Sequence, residues 1–355
     1  MVARQIFNLE EYTRHMTTRV AINGFGRIGR NAFKLAFATP GLRIVAINDL
    51  AEPRVLAHLL KHDTNYGRYH KEVSSDAKHI IVGGHKIVVT AEKDPSMLPW
   101  KELDVDVVIE STGRFVKGED ASLHIKAGAK KVVISAPAKG DDSIVATHVI
   151  GVNEDKLDIV KNDIFSNASC TTNCITPIAA VIEREFGIEK AMMTTIHSYT
   201  ASQVVQDAPS KDLREGRNAA ENIVPTTTGA TIAAAKALPA LEGVFGGLSI
   251  RVPTPVVSLS DFTFLTKKNT TIEEVNAVIK QAAKEERFKG VLSWTEEELV
   301  SHDFVGDPHS SIADMKLTNV VGGNMVKVVA WYDNEWGYSN RLVELVSLVG
   351  KKLKK

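Results

Sequence analysis

The feature that most constrains this chain is a glycine triplet, Gly24, Gly26 and Gly29, spaced G-x-G-x-x-G between the apolar run TRVAIN and the stretch NAFKLAFAT. A strand, a tight turn and a helix in that order leave few folds open. The first glycine permits the turn, the second lets a pyrophosphate approach the backbone, and the third lets the helix lie close on the strand. The helix start then offers unpaired N–H groups and the positive end of its dipole to phosphates. A glycine triplet alone can be a purely structural turn; its place between strand and helix favours the binding reading. The next run, LRIVAIND, ends at Asp49, about 20 residues past the last glycine, where a carboxylate would hydrogen-bond ribose hydroxyls and repel a 2′-phosphate. The pattern predicts NAD in preference to NADP.

Alternation of strand and helix continues through HKIVVTAE, VDVVIEST, GEDASLHIKAGA and KKVVISAP, which predicts a doubly wound α/β domain. Beyond Cys170 the texture changes. TTNCITPIAAVIEREFG reads as a long helix, and KAMMTTIHSYT, GLSIRVPTPVVSLSDFTFLT and NMVKVVAWYDN read as longer alternating strands, the pattern of a mostly antiparallel sheet with one covered face. The expected organisation is an N-terminal arm over residues 1–17, a Rossmann-type NAD-binding domain over 18–168 completed by a C-terminal helix over 338–355, and an α+β catalytic domain over 169–337. The polar stretch 201–228 is longer than an idle connector usually is and is expected to line a site or an interface.

A chain of 355 residues can bury two cores. Its 43 basic residues balance 43 acidic ones, so no overall field draws it to nucleic acid or an anionic membrane. No run of 18 apolar residues appears and the first fifteen lack the apolar centre of a secretory signal. A cytoplasmic location is expected. The chain has two cysteines, Cys170 and Cys174, too few for a disulfide scaffold and wrongly placed for structural zinc.

Free cysteine is often a small buried hydrophobe, and Cys174, followed by Ile175, Pro177 and Ile178, fits that reading. Cys170 has polar neighbours at the apparent start of a helix, where N–H groups and the dipole favour a thiolate. It is the candidate nucleophile. His197, at the end of a strand beside Ser198 and Thr200, is the candidate base, since a strand that follows the helix can return beside its N-terminus.

The segments GFGRIGR, SNASCTTNC, HSYT, TTTGA, RVPTP and WYDNEWGYSNR, in this order over residues 18–355, closely resemble the glyceraldehyde-3-phosphate dehydrogenase family. The resemblance implies that family's fold, a homotetramer, and conversion of aldehyde, NAD and inorganic phosphate to acyl phosphate and NADH. It implies that Cys170 attacks the aldehyde, that His197 takes the hydroxyl proton, and that the Cys170 amide and His197 stabilise the oxyanion. It also implies inorganic phosphate at Ser169, Thr171, Thr228 and Gly229, and substrate phosphate at Thr200 and Arg251. Arg27, Ile28, Thr112, Ser135 and Asn334 would line the NAD site, with Tyr338 near the nicotinamide. Lys93 stands where an arginine often lies near the adenine. Glu215 stands where some members have a phosphate-binding arginine, so Arg214 or Arg217 would have to compensate. Asp207-Ala208-Pro209 replaces a Leu-Pro pair of several NAD-specific members, which leaves room for some NADP use.

Two other readings compete. Erythrose-4-phosphate dehydrogenases share the cysteine motif, although HSYT and TTTGA match the triose-phosphate branch. A thiol redox sensor or nucleic-acid-binding protein with secondary catalysis would exploit an oxidisable thiolate, but a neutral chain without a basic aromatic stripe weakens the nucleic-acid version.

Overall fold

The structure, a computed structural model, describes residues 17–141 and 143–355. Residues 1–16 of the expected N-terminal arm lie outside the described residues. The chain divides into two compact units: one holds the described residues through His148, Asp155–Asn167 and Ser339–Lys355, the other Val149–Glu154 and Ala168–Tyr338. Val149–Glu154 thus falls outside the unit expected from the sequence, because Val149 and Val152 pack with Ala168, Ala233 and Ala237.

The first unit runs β1 (Thr18–Asn23), α1 (Arg27–Ala38), β2 (Leu42–Asn48), α2 (Pro53–Lys61), β3 (His62–Asp63), β4 (Gly67–Arg68), β5 (Val73–Ser75), β6 (His79–Val82), β7 (His85–Thr90), β8 (Val107–Glu110), α3 (Gly118–Lys126), β9 (Lys131–Ile134), β10 (Val145–Thr147) and β11 (Ile164–Ser166). Its nine-stranded sheet has the order β10-β11-β9-β8-β1-β2-β7-β6-β5. Strands from β10 to β7 pair in parallel, while β6 pairs antiparallel with β5 and β7. Strands buried on both faces carry unbroken apolar runs rather than alternation, as Val107–Ile109 of β8 and Val132–Ile134 of β9 do.

The second unit runs α4 (Cys170–Phe186), β12 (Ile188–Ser198), β13 (Val224–Thr226), α5 (Ala230–Ala237), β14 (Phe245–Val252), β15 (Ser258–Thr266), α6 (Ile272–Ala282), β16 (Leu292–Thr295), β17 (Ser311–Asp314), β18 (Asn319–Val321) and β19 (Met325–Tyr332). Its sheet follows β13-β14-β12-β15-β19-β17-β16, with β18 on β19. The β12–β14 and β16–β17 pairs are parallel and the rest antiparallel. The run GLSIRVPTPVVSLSDFTFLT is two strands rather than one. Pro253 and Pro255 interrupt it, and β14 and β15 flank β12 on opposite sides, since proline donates no ladder hydrogen bond. Along β15, Ser258, Ser260, Phe262, Phe264 and Thr266 are buried and their alternates half-exposed, the period of a strand with one covered face. Ile175, Ile178 and Ile182 of α4, at helical spacing, share a core with Phe262 and Phe264. Truncating any of the three to alanine would cost about 2–5 kcal/mol.

The chain ends in α7 (Trp336–Leu353), whose residues from Ser339 on belong to the first unit. Leu342, Leu345, Val346 and Val349 are fully buried there, and Lys354 pairs with Asp106 at 2.8 Å.

Candidate active site

In the first unit, Gly24, Gly26, Asp49, Lys93 and Thr112 line one cavity, joined by Asn23, Asn48, Glu92, Ser111, Arg114 and Phe115, which the sequence reading did not single out. Gly24 has φ +91°, and a side chain there would meet the Thr112 nitrogen at 2.7 Å. At Gly29 a side chain would collide with the Gly24 carbonyl, so the third glycine sets helix against turn. Over Gly26 a Cβ would meet nothing within 4 Å, which is the open space a phosphate needs to reach backbone. The Asp49 carboxylate accepts from Phe25 N at 2.8 Å and Ala51 N at 3.1 Å, so it also clamps the turn. These residues fit a dinucleotide.

Arg27 and Ile28 open α1, where backbone N–H groups have no acceptor within the helix. The Arg27 guanidinium points elsewhere: it pairs with Asp63 at 2.7 Å and stands over the Tyr66 ring. Burial opposes ionisation of Asp63, yet Arg27 and the Asn65 amide hold its carboxyl below the usual range. Neither Arg27 nor Ile28 is among the residues that line the cavity. Ser135 donates its N–H to the Glu110 carbonyl at 2.9 Å and is not among the cavity-lining residues.

In the second unit, Cys170 is the first residue of α4, and Ser169 caps the helix by accepting from Thr172 N at 3.0 Å. Cys170 Sγ lies 3.5 Å from His197 Nε2. Parallel pairing of β12 with β14 sets Arg251 opposite His197. His197 Nδ1 lies 2.7 Å from the Ser198 carbonyl and 2.6 Å from Arg251 Nη1. A carbonyl only accepts and a guanidinium only donates, so the two contacts belong to different tautomers. With its proton on Nδ1, donated to Ser198, the ring presents the Nε2 lone pair to the sulfur.

Burial, reinforced by the Arg251 charge, holds His197 down at about 3. Burial pushes the Cys170 thiol up, with Arg251 and Thr171 opposing. Burial thus works against the thiolate that the helix end favours, and against protonation of the imidazole. Cys174 is fully buried, its thiol pushed up to about 12 by burial, with Ser311 Oγ at 3.7 Å.

Four of the expected phosphate residues gather at two helix starts. Gly229 is the N-cap of α5 and Thr228 Oγ1 accepts from Ala230 N at 3.1 Å. Thr172 Oγ1 donates to the Ala230 carbonyl at 3.2 Å, tying the N-terminal turns of α4 and α5 together. The Thr171 hydroxyl is taken up differently: it lies 3.0 Å from Tyr332 OH, which also meets Thr195 Oγ1 at 2.9 Å. Thr200 Oγ1 meets Ser202 Oγ at 2.9 Å. Arg217 pairs with Asp207 at 2.8 Å, and neither Arg214 nor Arg217 makes a hydrogen bond to the residues around Cys170.

Asn334 Oδ1 accepts from Ser198 Oγ at 2.9 Å and Ser258 Oγ at 3.1 Å. Ser258 Oγ itself accepts from Ser198 N at 3.1 Å, which frees its hydrogen for Asn334 and leaves Nδ2 as the donating end. Tyr338 OH donates to the Ala168 carbonyl at 3.0 Å. Ala168 has φ +53°, so Tyr338 braces the strained residue just ahead of Ser169, a part the sequence did not suggest.

A dinucleotide-binding domain joined in one chain to a mixed-sheet domain that carries a cysteine–histidine pair defines an NAD-dependent oxidoreductase. Family models agree: the one described as glyceraldehyde 3-phosphate dehydrogenase, NAD binding domain, matches residues 18–118, and the one for the C-terminal domain matches 169–334. The chain is 53% identical over 337 residues to a glyceraldehyde-3-phosphate dehydrogenase of Geobacillus stearothermophilus, covering 95% of this chain and 99% of that protein. It is 53% identical over 339 residues to glyceraldehyde-3-phosphate dehydrogenase 2 of Streptomyces avermitilis, and 50% identical over 339 residues to that of a Synechocystis species, each covering 95% of this chain and 100% of the relative. The chain belongs to the glyceraldehyde-3-phosphate dehydrogenase family, and its cofactor is NAD.

Proposed function

We propose that this enzyme oxidises D-glyceraldehyde 3-phosphate to 1,3-bisphosphoglycerate with NAD and inorganic phosphate, through a thioester on Cys170. The observation that carries the reading is the 3.5 Å approach of Cys170 Sγ to His197 Nε2 at the start of α4.

The sulfur attacks the aldehyde carbon; a C–S bond forms and the carbonyl oxygen takes up the thiol proton by way of His197, giving a hemithioacetal. The Cys170 N–H, at the positive end of α4, suits the oxyanion that develops on the way. Bound NAD supplies the hydride acceptor for the next step. As hydride leaves that carbon, His197 Nε2 takes the hydroxyl proton and the thioester forms. Inorganic phosphate then attacks, the C–S bond breaks, and the leaving sulfur recovers its proton from His197.

Two anions need places. The joined helix starts of α4 and α5, with Ser169, the Thr171 amide, Thr228 and Gly229, suit inorganic phosphate by their N–H groups and dipoles. Arg251 with Thr200 suits the substrate phosphate, by a charge-assisted fork and a hydroxyl. Asn334 Nδ2 suits the carboxamide of the nicotinamide, and Asp49 the adenosine ribose. A homotetramer and a cytoplasmic location belong to the same proposal. Exposed Met192 and Leu248 on the β12–β14 sheet support burial of that face in an assembly, and no described helix is long and apolar enough to cross a membrane.

The test is NADH formation from glyceraldehyde 3-phosphate, followed by absorbance with and without inorganic phosphate. Sustained turnover only with phosphate is expected. A rate indifferent to phosphate would mean that water resolves the thioester and would remove the inorganic-phosphate site.

A further inference from the structure

At the carboxyl ends of four neighbouring parallel strands, polar residues stand in register: Glu110 of β8 opposite Asn23 of β1, Asn23 opposite Asn48 of β2, and Asn48 opposite Thr90 of β7. Their side chains join into one row. Asn23 Nδ2 donates to Glu110 Oε2 at 2.6 Å, Asn48 Nδ2 to Asn23 Oδ1 at 2.7 Å, and Thr90 Oγ1 to Asn48 Oδ1 at 2.8 Å. Past Glu110 the row runs inward to α3 and the core. His124 Nε2 lies 3.0 Å from Glu110 Oε2, and Trp100 Nε1 lies 3.0 Å from His124 Nδ1.

The directions of these bonds follow from the indole end. An indole N–H only donates, so His124 Nδ1 accepts, the ring proton sits on Nε2, and Nε2 donates to Glu110. Asn23 Nδ2 and His124 Nε2 are 3.4 Å apart and converge on one carboxylate oxygen. The other oxygen accepts from Thr112 N at 2.8 Å and Thr112 Oγ1 at 2.5 Å. With the carboxylate as acceptor, the Asn23 amide must turn its nitrogen to Glu110 and its oxygen to Asn48. Asn48 must then turn its own oxygen outward, where it also accepts from Glu92 N at 2.9 Å.

Trp100 and His124 are fully buried and do not line the nucleotide cavity, whereas Asn23, Asn48, Glu92 and Thr112 do. Burying a carboxylate and an imidazole costs free energy that an apolar pair would not. What the polar pair adds is direction: it admits one donor–acceptor orientation for the cavity floor. We propose that Trp100 and His124 are positioning residues for dinucleotide binding, acting through Glu110 to fix Thr112 and the Asn23–Asn48 row in the orientation that receives NAD. The inference rests on reading this cavity as the NAD site.

The experiment compares the full-length wild type with His124→Phe and His124→Gln, measuring NAD dissociation by calorimetry, KM for NAD and for the aldehyde, kcat at saturating NAD, and thermal midpoint. Glutamine can accept from Trp100 and donate to Glu110; phenylalanine can do neither. His124→Phe is expected to weaken NAD about tenfold or more, with kcat and aldehyde KM within about twofold, the split that marks lost cofactor binding alone. His124→Gln is expected to restore most of the affinity. Unchanged NAD affinity in a folded His124→Phe protein would overturn the proposal, as would glutamine and phenylalanine variants that are equally impaired, or a loss spread evenly over kcat and both KM values. Should His124→Phe fail to fold, Trp100→Phe, which removes only the indole donor, decides: weaker NAD binding supports the proposal and unchanged binding overturns it. A wild type that turns over but leaves Gly26→Val binding NAD normally would instead overturn the cavity reading.

Discussion

Along the row from Trp100 to Glu92 each side-chain donor meets an acceptor, whereas Arg251 Nε, Thr226 Oγ1 and Ser249 Oγ on the β13–β14 pair are buried with no partner. A satisfied polar network has a shape before any ligand arrives. An unsatisfied buried group costs about 1–3 kcal/mol, and such groups collect where a ligand or water completes them. The floor of the nucleotide cavity is thus held in one orientation by protein groups alone, while those three atoms on the β13–β14 pair are bonded to no other protein group. In the second region Arg251 leans on His197, and burial opposes charge on both His197 and Cys170.

The comparison breaks most visibly at the sulfur. Cys170→Ser is expected to lose about 10⁴-fold or more in oxidation, since a hydroxyl is a far poorer nucleophile at neutral pH, with NAD affinity within about twofold; comparable activity in that variant would move the chemistry elsewhere. Next is Arg251→Leu, which should lower kcat/KM for the phosphorylated aldehyde about 100-fold by removing a charge-assisted fork, while steady-state KM for NAD stays near wild type. Equal losses in both KM values would erase the division between the regions.

A pH effect of middle size follows from His197. Unfolded histidine takes up a proton below about pH 6.5, while the folded ring stays neutral down to about 3. The unfolded state then holds more protons across that window, so this group's contribution to stability rises with pH and is lost as pH falls. Between pH 6.5 and pH 5 the wild type should lose up to about 2 kcal/mol more than His197→Asn, read as guanidinium midpoints; parallel losses would contradict a neutral buried ring.

Smaller still, Asp49→Ala should relax discrimination against NADP about tenfold, and unchanged cofactor ratios would leave Asp49 with only its clamp on Phe25 N. Last, Cys174→Ser should cost on the order of 1–3 kcal/mol of stability by placing a hydroxyl in a core and leave turnover within about twofold; an inactive but stable variant would blur the roles of the two thiols.

How much of this was readable along the chain follows from distance in sequence. The glycine turn and the α4 start are local patterns, and Asp49 follows them at a set spacing. Glu110, His124 and Trp100 were missed because a buried glutamate, histidine or tryptophan gives no local signal. The Asn23–Glu110 contact spans 87 positions and exists only once β1 and β8 are paired. The Arg251–His197 contact depends on a parallel β12–β14 pairing, which the single long strand expected over GLSIRVPTPVVSLSDFTFLT would not have allowed. The proline pair in that run was a signal present but unused. Arg27 shows another limit: its motif position points to the cofactor turn, but the motif gives no sign that its side chain pairs with Asp63.

Tyr338 reaches back 170 positions to Ala168, and Tyr332 reaches back 161 to Thr171. Contacts of such separation form late, after the loops they close have been ordered. On a ribosome the chain emerges from its N-terminus, so the turn that presents Cys170 has its local Ser169 cap but neither tyrosine brace until almost the whole protein has been made. The nucleophile is therefore assembled only on a finished chain, and a polypeptide released early carries the cysteine without the geometry that makes it reactive.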